Sequence, residues 1–416
     1  MKRRQALEGI KVADFSWVIV GPLSMKHLAD HGATVVRVES HTRPETSRLS
    51  GPYKDNITSI EHSGFYPTYN SSKYGISLDL TKPRGREIAL RLIMWADVVA
   101  ESYTPGTMKE WGLDYESVAK LKPDIIYVST CQYGQYGPLA QLPGYGQLAA
   151  ALSGISNAIG WPDLLPSTNA IAHTDFICPH FVVATVMATL DYRRRTGRGV
   201  YLDQSQLEAA VHFFAPPVMD YLVNNRIMER GGNRLPYAAP HGAYPCRGND
   251  RWCAIVVFSD EEWRGLCDAM GNPEWTQDPK FATFLGRKEN EDELDRLVGQ
   301  WTINFTAEEV MSLMQAKGVA AGVVEDLKDM FEDPQLKHYG FLRYFEHPVM
   351  GEISYQGPPF RLSKTPDGQF SAPCLGQHNE YVYKELLGLS DEEIAELLIE
   401  KVITTEADLP EFKPST

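Results

Sequence analysis

The N-terminal forty residues alternate strand, helix and strand, a pattern that restricts the chain to folds built on a parallel sheet. Apolar runs predict a short strand at 10–15 and a second, buried strand at 34–39. Between them, residues 16–22 predict a turn, and residues 23–30 predict a helix that stops at Gly32. A helical connection of this kind returns the chain so that the second strand runs parallel to the first.

Later strands extend this sheet and end in polar loops. Strands are predicted at 97–102 and 125–130, followed by the Gly- and Pro-containing loops 103–106 and 132–138. Open α/β sheets bind ligands beyond the carboxyl ends of their strands, so a binding site is expected at these loops. The first turn carries one glycine instead of a GxGxxG fingerprint, which argues against a nicotinamide dehydrogenase.

The pattern changes after about residue 225, where a separate α+β region begins. Short strands near 243–245, 252–258 and 320–324 flank predicted helices in this region. The fold class predicted for the chain is therefore α/β, with a Rossmann-like open parallel sheet in the large domain and an inserted smaller α+β domain. The predicted boundaries are 1–225 for the N-terminal part of the large domain, 226–330 for the small domain and 331–416 for a β-rich C-terminal segment.

Composition excludes several classes of function. The formal net charge is −14 and the basic residues are dispersed, which argues against a nucleic-acid or anionic-membrane partner. No stretch has the uncharged length of a membrane span, and the N-terminus lacks the apolar core of a signal peptide. Six cysteines without a CxxC pair indicate reduced thiols in the cytoplasm. Eleven histidines form neither HExxH nor a Cys/His cluster, so no metal site is predicted.

One acidic residue, Asp175, precedes a long apolar-periodic segment that predicts a helix. The last turn of the predicted helix contains three arginines at 193–195, and Gly197 ends the helix. The local pattern allows two interpretations of the acid. It is the N-cap of the helix, which the pattern alone favours, or it is a carboxylate nucleophile held at the helix start.

Eight motifs in sequence order resemble the class III (CaiB/BaiF-type) coenzyme A transferase family. They span nearly the whole chain: LEGIKVADFS…GP (7–22), LADHGATVVRVES (28–40), NSSKYGISLDL (70–80), DVVAESYTPGTMKEWGL (97–113), YGQYGP (133–138), TDFICP…RRRTGRG (174–199), YPC…W (244–252) and LGQHNEYV (375–382). The resemblance implies that the C-terminal segment returns to the large domain. It also implies that two subunits thread through one another as an interlocked-ring dimer.

The resemblance further implies a covalent mechanism. The family's aspartate nucleophile corresponds to Asp175, which would carry an anhydride and then a CoA thioester. The family's CoA contacts fall on five residues: Ile19, Val20, Lys73, Ser102 and Tyr103. Lys73 is expected on a surface loop, where a solvated charge is the alternative interpretation. The implied substrates are an acyl-CoA donor and a carboxylic acid acceptor. No tightly bound cofactor is expected, and the expected assembly is a homodimer or a heterodimer with a related subunit.

The chain departs from the family at one contact, because Glu110 stands where many members carry an arginine. Two alternative functions remain open. A 2-methylacyl-CoA racemase of the same fold abstracts an α-proton and needs a histidine in the loop after the YGQYGP motif. That loop, 139–146, contains no histidine. The other alternative is a non-catalytic subunit of a hetero-oligomer, which the retained Asp175 argues against.

Overall fold

The computed structural model describes residues 5–166 and 172–410, and the chain divides into two compact units. The first unit combines Met1–Ser156, Thr168–Ile227 and Gly340–Thr416. The second consists of Asn157–Ser167 and Met228–Tyr339. Residues 157–167 and 331–339 thus belong to the second unit, although the sequence assigned them to the large domain and the C-terminal segment. The predicted domain ends at 1–4 and 411–416 lie outside the described residues.

The first unit is built on a six-stranded sheet within the described residues. Its strands are β1 (Lys11–Asp14), β2 (Thr34–Glu39), β3 (Tyr74–Ser77), β4 (Val98–Glu101), β5 (Ile126–Cys131) and β6 (Val200–Ser205). Their order is β3-β2-β1-β4-β5-β6, and every neighbouring pair is parallel. The strand order reverses between β1 and β4, which makes that position the topological switch point of a Rossmann-like sheet.

Helices accompany this sheet along the chain. They are α1 (Val20–Asp30), α2 (Phe65–Asn70), α3 (Pro83–Trp95), α4 (Thr107–Glu110), α5 (Tyr115–Leu121), α6 (Gly146–Leu152), α7 (Ile155–Ala158), α8 (His173–Thr196), α9 (Gln206–Phe213) and α10 (Ala215–Asn224). Helix α1 begins at Val20, so the end of the predicted turn at 16–22 is helical. Helix α8 ends as predicted, with Gly197 in the left-handed region at φ 71°.

Apolar residues cover both faces of the sheet. Val99 of β4 packs in one core with Leu92 of α3, whereas its neighbours Val98 and Ala100 pack in the other core with Val186 of α8. Successive side chains of a strand point to opposite faces, so a strand buried on both faces needs an unbroken apolar run. This is the physical reason that the continuous apolar runs in the sequence predicted the strands.

The second unit contains a three-stranded antiparallel sheet and its own core. Its strands are β7 (His241–Pro245), β8 (Trp252–Val256) and β9 (Ala320–Val324), and its helices are α11 (Asp260–Ala269), α12 (Phe284–Glu289), α13 (Glu291–Thr302), α14 (Ala307–Gln315), α15 (Leu327–Glu332) and α16 (Pro334–Tyr339). Capping boxes at Ser259 and Thr306 fix the starts of α11 and α14.

The C-terminal segment returns to the first unit. It contains the hairpin strands β10 (Leu342–His347) and β11 (Gly351–Gln356), a π-helix at Tyr381–Leu386 and helix α17 (Asp391–Ile399). The segment is joined to β3, since the Tyr383 hydroxyl donates to the Ser77 carbonyl at 2.7 Å and the Ser77 amide donates to Asn379 Oδ1 at 2.9 Å. Among the described helices, none combines the length and apolarity that a membrane span needs.

Candidate functional site

A cavity of about 280 Å³ lies at the carboxyl ends of β1, β4 and β5, at the switch point of the parallel sheet. Its walls come from the loops after these strands, 17–20, 102–105 and 130–133, and from the loop 140–146. Asp175 and Gln206 complete the lining. This is the position at which open α/β sheets bind ligands, as the polar loops in the sequence predicted.

Asp175 is the third residue of α8, and Ala172 is the N-cap of this helix. The N-cap interpretation of Asp175 is therefore wrong, because the residue lies inside the first turn of the helix and not at the cap position before it. The carboxylate is 7% exposed and lies against Gly146 on the cavity wall. A Cβ atom added at Gly146 would lie 2.3 Å from Asp175 Oδ1, so only glycine leaves room for the acid there.

The environment of Asp175 raises the pKa of its carboxyl group from 3.8 to about 6. Burial is the cause, and a hydrogen bond from the Gln206 side chain opposes it in part. The group is still mostly ionised at neutral pH, and it is more basic than an ordinary aspartate. The sequence interpretation missed both Gly146 and Gln206, since neither belongs to a motif and each meets Asp175 only in the folded chain.

The loop after β1 is held in a constrained conformation beside the cavity. Val18 has a φ of 65°, which is unfavourable for a β-branched residue. Its amide donates to Glu45 Oε1 at 2.6 Å, and the neighbouring Trp17 amide donates to Ser102 Oγ at 2.8 Å. These two bonds fix the turn that presents Ile19 to the cavity.

Four of the five predicted CoA-contact residues line this one cavity: Ile19, Val20, Ser102 and Tyr103. Tyr103 packs between Trp17 and Trp111, with ring centroids 6.0 and 5.3 Å away. The exposed guanidinium of Arg43 lies 5.2 Å from the Trp17 ring. A cation is thus placed next to an aromatic residue of the cavity wall, while Glu110 is exposed on α4 and does not line the cavity.

Lys73, the fifth predicted contact, does not line the cavity. The sequence interpretation placed it on a surface loop, but the side chain is fully buried. Its ammonium group donates to Asp14 Oδ2 at 2.9 Å, the Pro22 carbonyl at 2.8 Å and Asn70 Oδ1 at 2.9 Å. All three donors of the ammonium group are therefore used within the protein, and Lys73 is a structural ion at the end of β1.

Glu61, His347 and Cys374 form the group of described residues that most resembles a metal site, with ligand atoms within 4.8 Å of one another. Two of them, Glu61 and His347, already have hydrogen-bond partners within the protein. Glu61 accepts from Arg48 at 2.7 Å and from the Leu375 amide at 2.9 Å. His347 Nδ1 accepts from two backbone amides, which places its proton on Nε2. Glu61 and His347 therefore help to order the C-terminal segment.

Comparison with known proteins adds independent information. The chain matches the model of CoA-transferase family III over residues 7–379. It is 33% identical over 398 residues to the succinyl-CoA–D-citramalate CoA-transferase of Chloroflexus aurantiacus, covering 95% of this chain and 98% of the relative. It is 31% identical over 398 residues to the succinyl-CoA:glutarate CoA-transferase of Mus musculus, covering 95% and 90%. The crystal structure of a CaiB/BaiF family protein from Brucella suis matches with a TM-score of 0.85 at 28% identity, covering 92% and 100%.

Proposed function

This chain belongs to CoA-transferase family III and is a CoA-transferase, and we propose that it moves coenzyme A through covalent intermediates on Asp175. The observation that carries the proposal is the position of the acid. Asp175 is the one charged side chain in the lining of the cavity at the switch point, among the residues that the structure describes. Its raised basicity makes the carboxylate a better nucleophile than an exposed aspartate would be.

In the first half of the reaction, a carboxylate oxygen of Asp175 attacks the thioester carbon of the donor acyl-CoA. The carbon–sulfur bond breaks, and an aspartyl mixed anhydride and a CoA thiolate form. The thiolate then attacks the aspartyl carbon of the anhydride. This attack releases the donor acid as its carboxylate and leaves an aspartyl-CoA thioester.

The second half reverses these steps with a different acid. The acceptor carboxylate attacks the aspartyl thioester carbon and displaces the CoA thiolate, which gives a second mixed anhydride. The thiolate attacks the acceptor's carbonyl carbon, the acyl-CoA product forms, and the Asp175 carboxylate is restored. No net proton or electron is gained or lost, so the cycle needs no cofactor besides its CoA substrate.

The proposed CoA contacts are Ile19, Val20, Ser102 and Tyr103. The two aliphatic residues are buried at the cavity and suit the apolar part of the pantetheine chain, and the neighbouring Ser102–Tyr103 loop lines the same cavity. Lys73 is omitted, because a phosphate would have to break three internal bonds of a buried ammonium group to reach it. Arg43, exposed beside Trp17, is the proposed cation for a CoA phosphate.

The proposed substrates are short dicarboxylic acids and their CoA thioesters. Both relatives described above are named for succinyl-CoA as donor, and their acceptors are D-citramalate and glutarate. The racemase alternative lacks support, since the described cavity lining contains Asp175 as its single carboxylate and no histidine that could act as the second acid/base.

The proposed assembly is a dimer with a second copy of this chain, or with a related subunit. Helix α10 supports it, because Leu222 and Val223 are 69% and 71% exposed, and Ile227 just beyond the helix is 71% exposed. An exposed apolar surface of this kind on a folded chain marks an interface. Light scattering of the purified protein at micromolar concentration is expected to give twice the mass of the 46.7 kDa chain.

Trapping the thioester tests the covalent mechanism. Incubation with succinyl-CoA and then hydroxylamine is expected to inactivate the enzyme and to convert Asp175 into a hydroxamate that peptide mass spectrometry locates. An active enzyme whose Asp175 stays unmodified would refute the mechanism. Deuterium incorporation at the α-carbon without an acceptor acid would instead establish a racemase.

A further inference from the structure

Several polar groups in the cavity lining lack any hydrogen-bond partner in the described part of the chain. They are both polar atoms of the Gln132 side-chain amide, the Tyr133 hydroxyl and the side-chain amide oxygen of Gln206. Tyr133 and Gln206 are 9% and 8% exposed, and all four atoms are closed off from solvent. Folded proteins rarely leave buried polar atoms unpaired, because each loses its hydrogen bonds to water without compensation. Three such residues around one cavity therefore need an explanation.

The backbone holds these groups at the cavity, so their position is not incidental. The Gln132 carbonyl accepts from the Leu207 amide at 3.0 Å, which ties the end of β5 to the start of α9. Gln206 is the first residue of α9, and its amide nitrogen donates to Asp175 while its oxygen remains unpaired. One glutamine thus faces the reacting carboxylate with its donor and offers a free acceptor beside it.

Gln132 is covered by a segment that ligand entry could displace. Its Oε1 atom would lie 2.7 Å from a Cβ added at Gly144, so this glycine lies directly over the amide. Gly144 belongs to the exposed loop 139–145, which has no regular secondary structure. A rotation of the amide, or a small outward movement of this loop, would expose its polar atoms to the cavity. A bound group with its own hydrogen-bonding atoms would then supply partners for the unpaired donors and acceptors.

The chemistry of the lining identifies what that group must be. Within the described residues, the lining contains no lysine, arginine or histidine, so recognition there relies on neutral hydrogen bonds. We infer that Gln132, Tyr133 and Gln206 form a specificity subsite for an oxygen group, hydroxyl or carboxyl, that the acyl chain carries beyond its reacting carbonyl. A hydroxyl uses an amide donor and an amide acceptor together, whereas a carboxylate uses the Gln132 and Tyr133 donors. The inference rests on the proposed transferase function and names the acids that this site selects.

Three four-carbon acceptor acids test the subsite with succinyl-CoA as donor: butyrate, 3-hydroxybutyrate and L-malate. The wild-type enzyme is expected to use at least one of the two oxygenated acids with kcat/KM more than tenfold above that for butyrate. Gln132→Met keeps the length of the side chain and removes the amide. It is expected to lower this preference at least fivefold while butyrate turnover changes less than twofold. If Gln132→Met loses the preference for both 3-hydroxybutyrate and L-malate over butyrate, the subsite recognises a hydroxyl. If it loses the preference for L-malate alone, the subsite recognises a carboxylate.

Gln141→Met is the matched control. Gln141 also lines the cavity, but its amide nitrogen already donates to the Pro105 carbonyl at 3.0 Å. Its replacement is expected to leave the preference ratio unchanged. A wild-type enzyme that uses butyrate as well as the oxygenated acids would overturn the inference and leave the transferase intact, and so would an unchanged preference in Gln132→Met. Absence of CoA transfer to every acid, together with no exchange of isotopically labelled succinate into succinyl-CoA, would refute the proposed function itself.

Discussion

Replacing the proposed nucleophile should make the protein more stable. Asp175→Asn removes a buried negative charge but keeps the shape of the side chain and an oxygen that accepts from Gln206. Burial raises the pKa of this carboxyl group from 3.8 to about 6. That difference corresponds to about 3 kcal/mol of unfavourable free energy for the ionised form in the folded state. We expect Asp175→Asn to raise the free energy of unfolding at pH 8 by about 1–3 kcal/mol, while transferase activity is lost.

The pH dependence of the gain follows from the direction of the pKa change. A carboxyl group with a raised pKa binds its proton more tightly in the folded state, so it penalises folding only when it is ionised. The stabilisation by Asn should therefore be complete above about pH 6, decrease between pH 6 and pH 4, and disappear below pH 4. Urea denaturation followed by far-ultraviolet circular dichroism at pH 4, 6 and 8 measures this profile.

Asp191 provides the control on the same helix. It is exposed, and hydrogen bonds from Arg194 and Arg195 lower the pKa of its carboxyl group. Asp191→Asn should therefore give no stabilisation between pH 4 and pH 8. A gain at Asp175 that is equal at pH 4 and pH 8, or no gain at all, would refute the argument that burial of the charge raises its pKa.

Three further predictions concern the same site and its support. The kcat/KM of the wild-type enzyme should fall about tenfold per pH unit below about pH 6, because Asp175 must be ionised to attack, and a profile that is flat down to pH 5 would contradict this role. Gly146→Ala should lower kcat by about a hundredfold with the circular dichroism spectrum unchanged, since the new Cβ displaces the carboxylate, whereas Gly322→Ala, which has open space around it, should keep full activity. Lys73→Met should lower the free energy of unfolding by about 3–5 kcal/mol in urea denaturation, because Asp14 then stays buried without its partner ammonium group. An effect no larger than that of Lys54→Met, whose lysine is partly exposed, would show that the buried pair is not needed.

The sequence around Asp175 predicted where the helix starts but left the role of the acid open. The pattern of an acid before a long apolar helix located the start of α8 to within three residues. It could not decide between a cap and a nucleophile, because both interpretations place an acid at a helix start. The cavity, the contact with Gly146 and the raised pKa are properties of the folded chain, and they favour the nucleophile.

Local patterns in the sequence were enough to predict most of the strands and helices and the class of the fold. Strands β2 and β4 occur where the apolar runs predicted them. This signal is local, since a strand buried on both faces must be apolar throughout. The resemblance to a known family likewise depended on short motifs that survive in the linear order of the residues.

The surroundings of each side chain depend on the folded chain and could not be predicted from local patterns. Lys73 looked like a surface lysine in its motif, yet it is buried against Asp14, fifty-nine residues away in the chain. Gln206 and Gly146 meet Asp175 only because α6, α8 and α9 converge at the end of the sheet. Burial and partner choice depend on contacts between distant segments, and the free energy of a charge depends on both. The sequence therefore identified the acid, and only the fold gave it a cavity, a hydrogen-bond donor and a raised pKa.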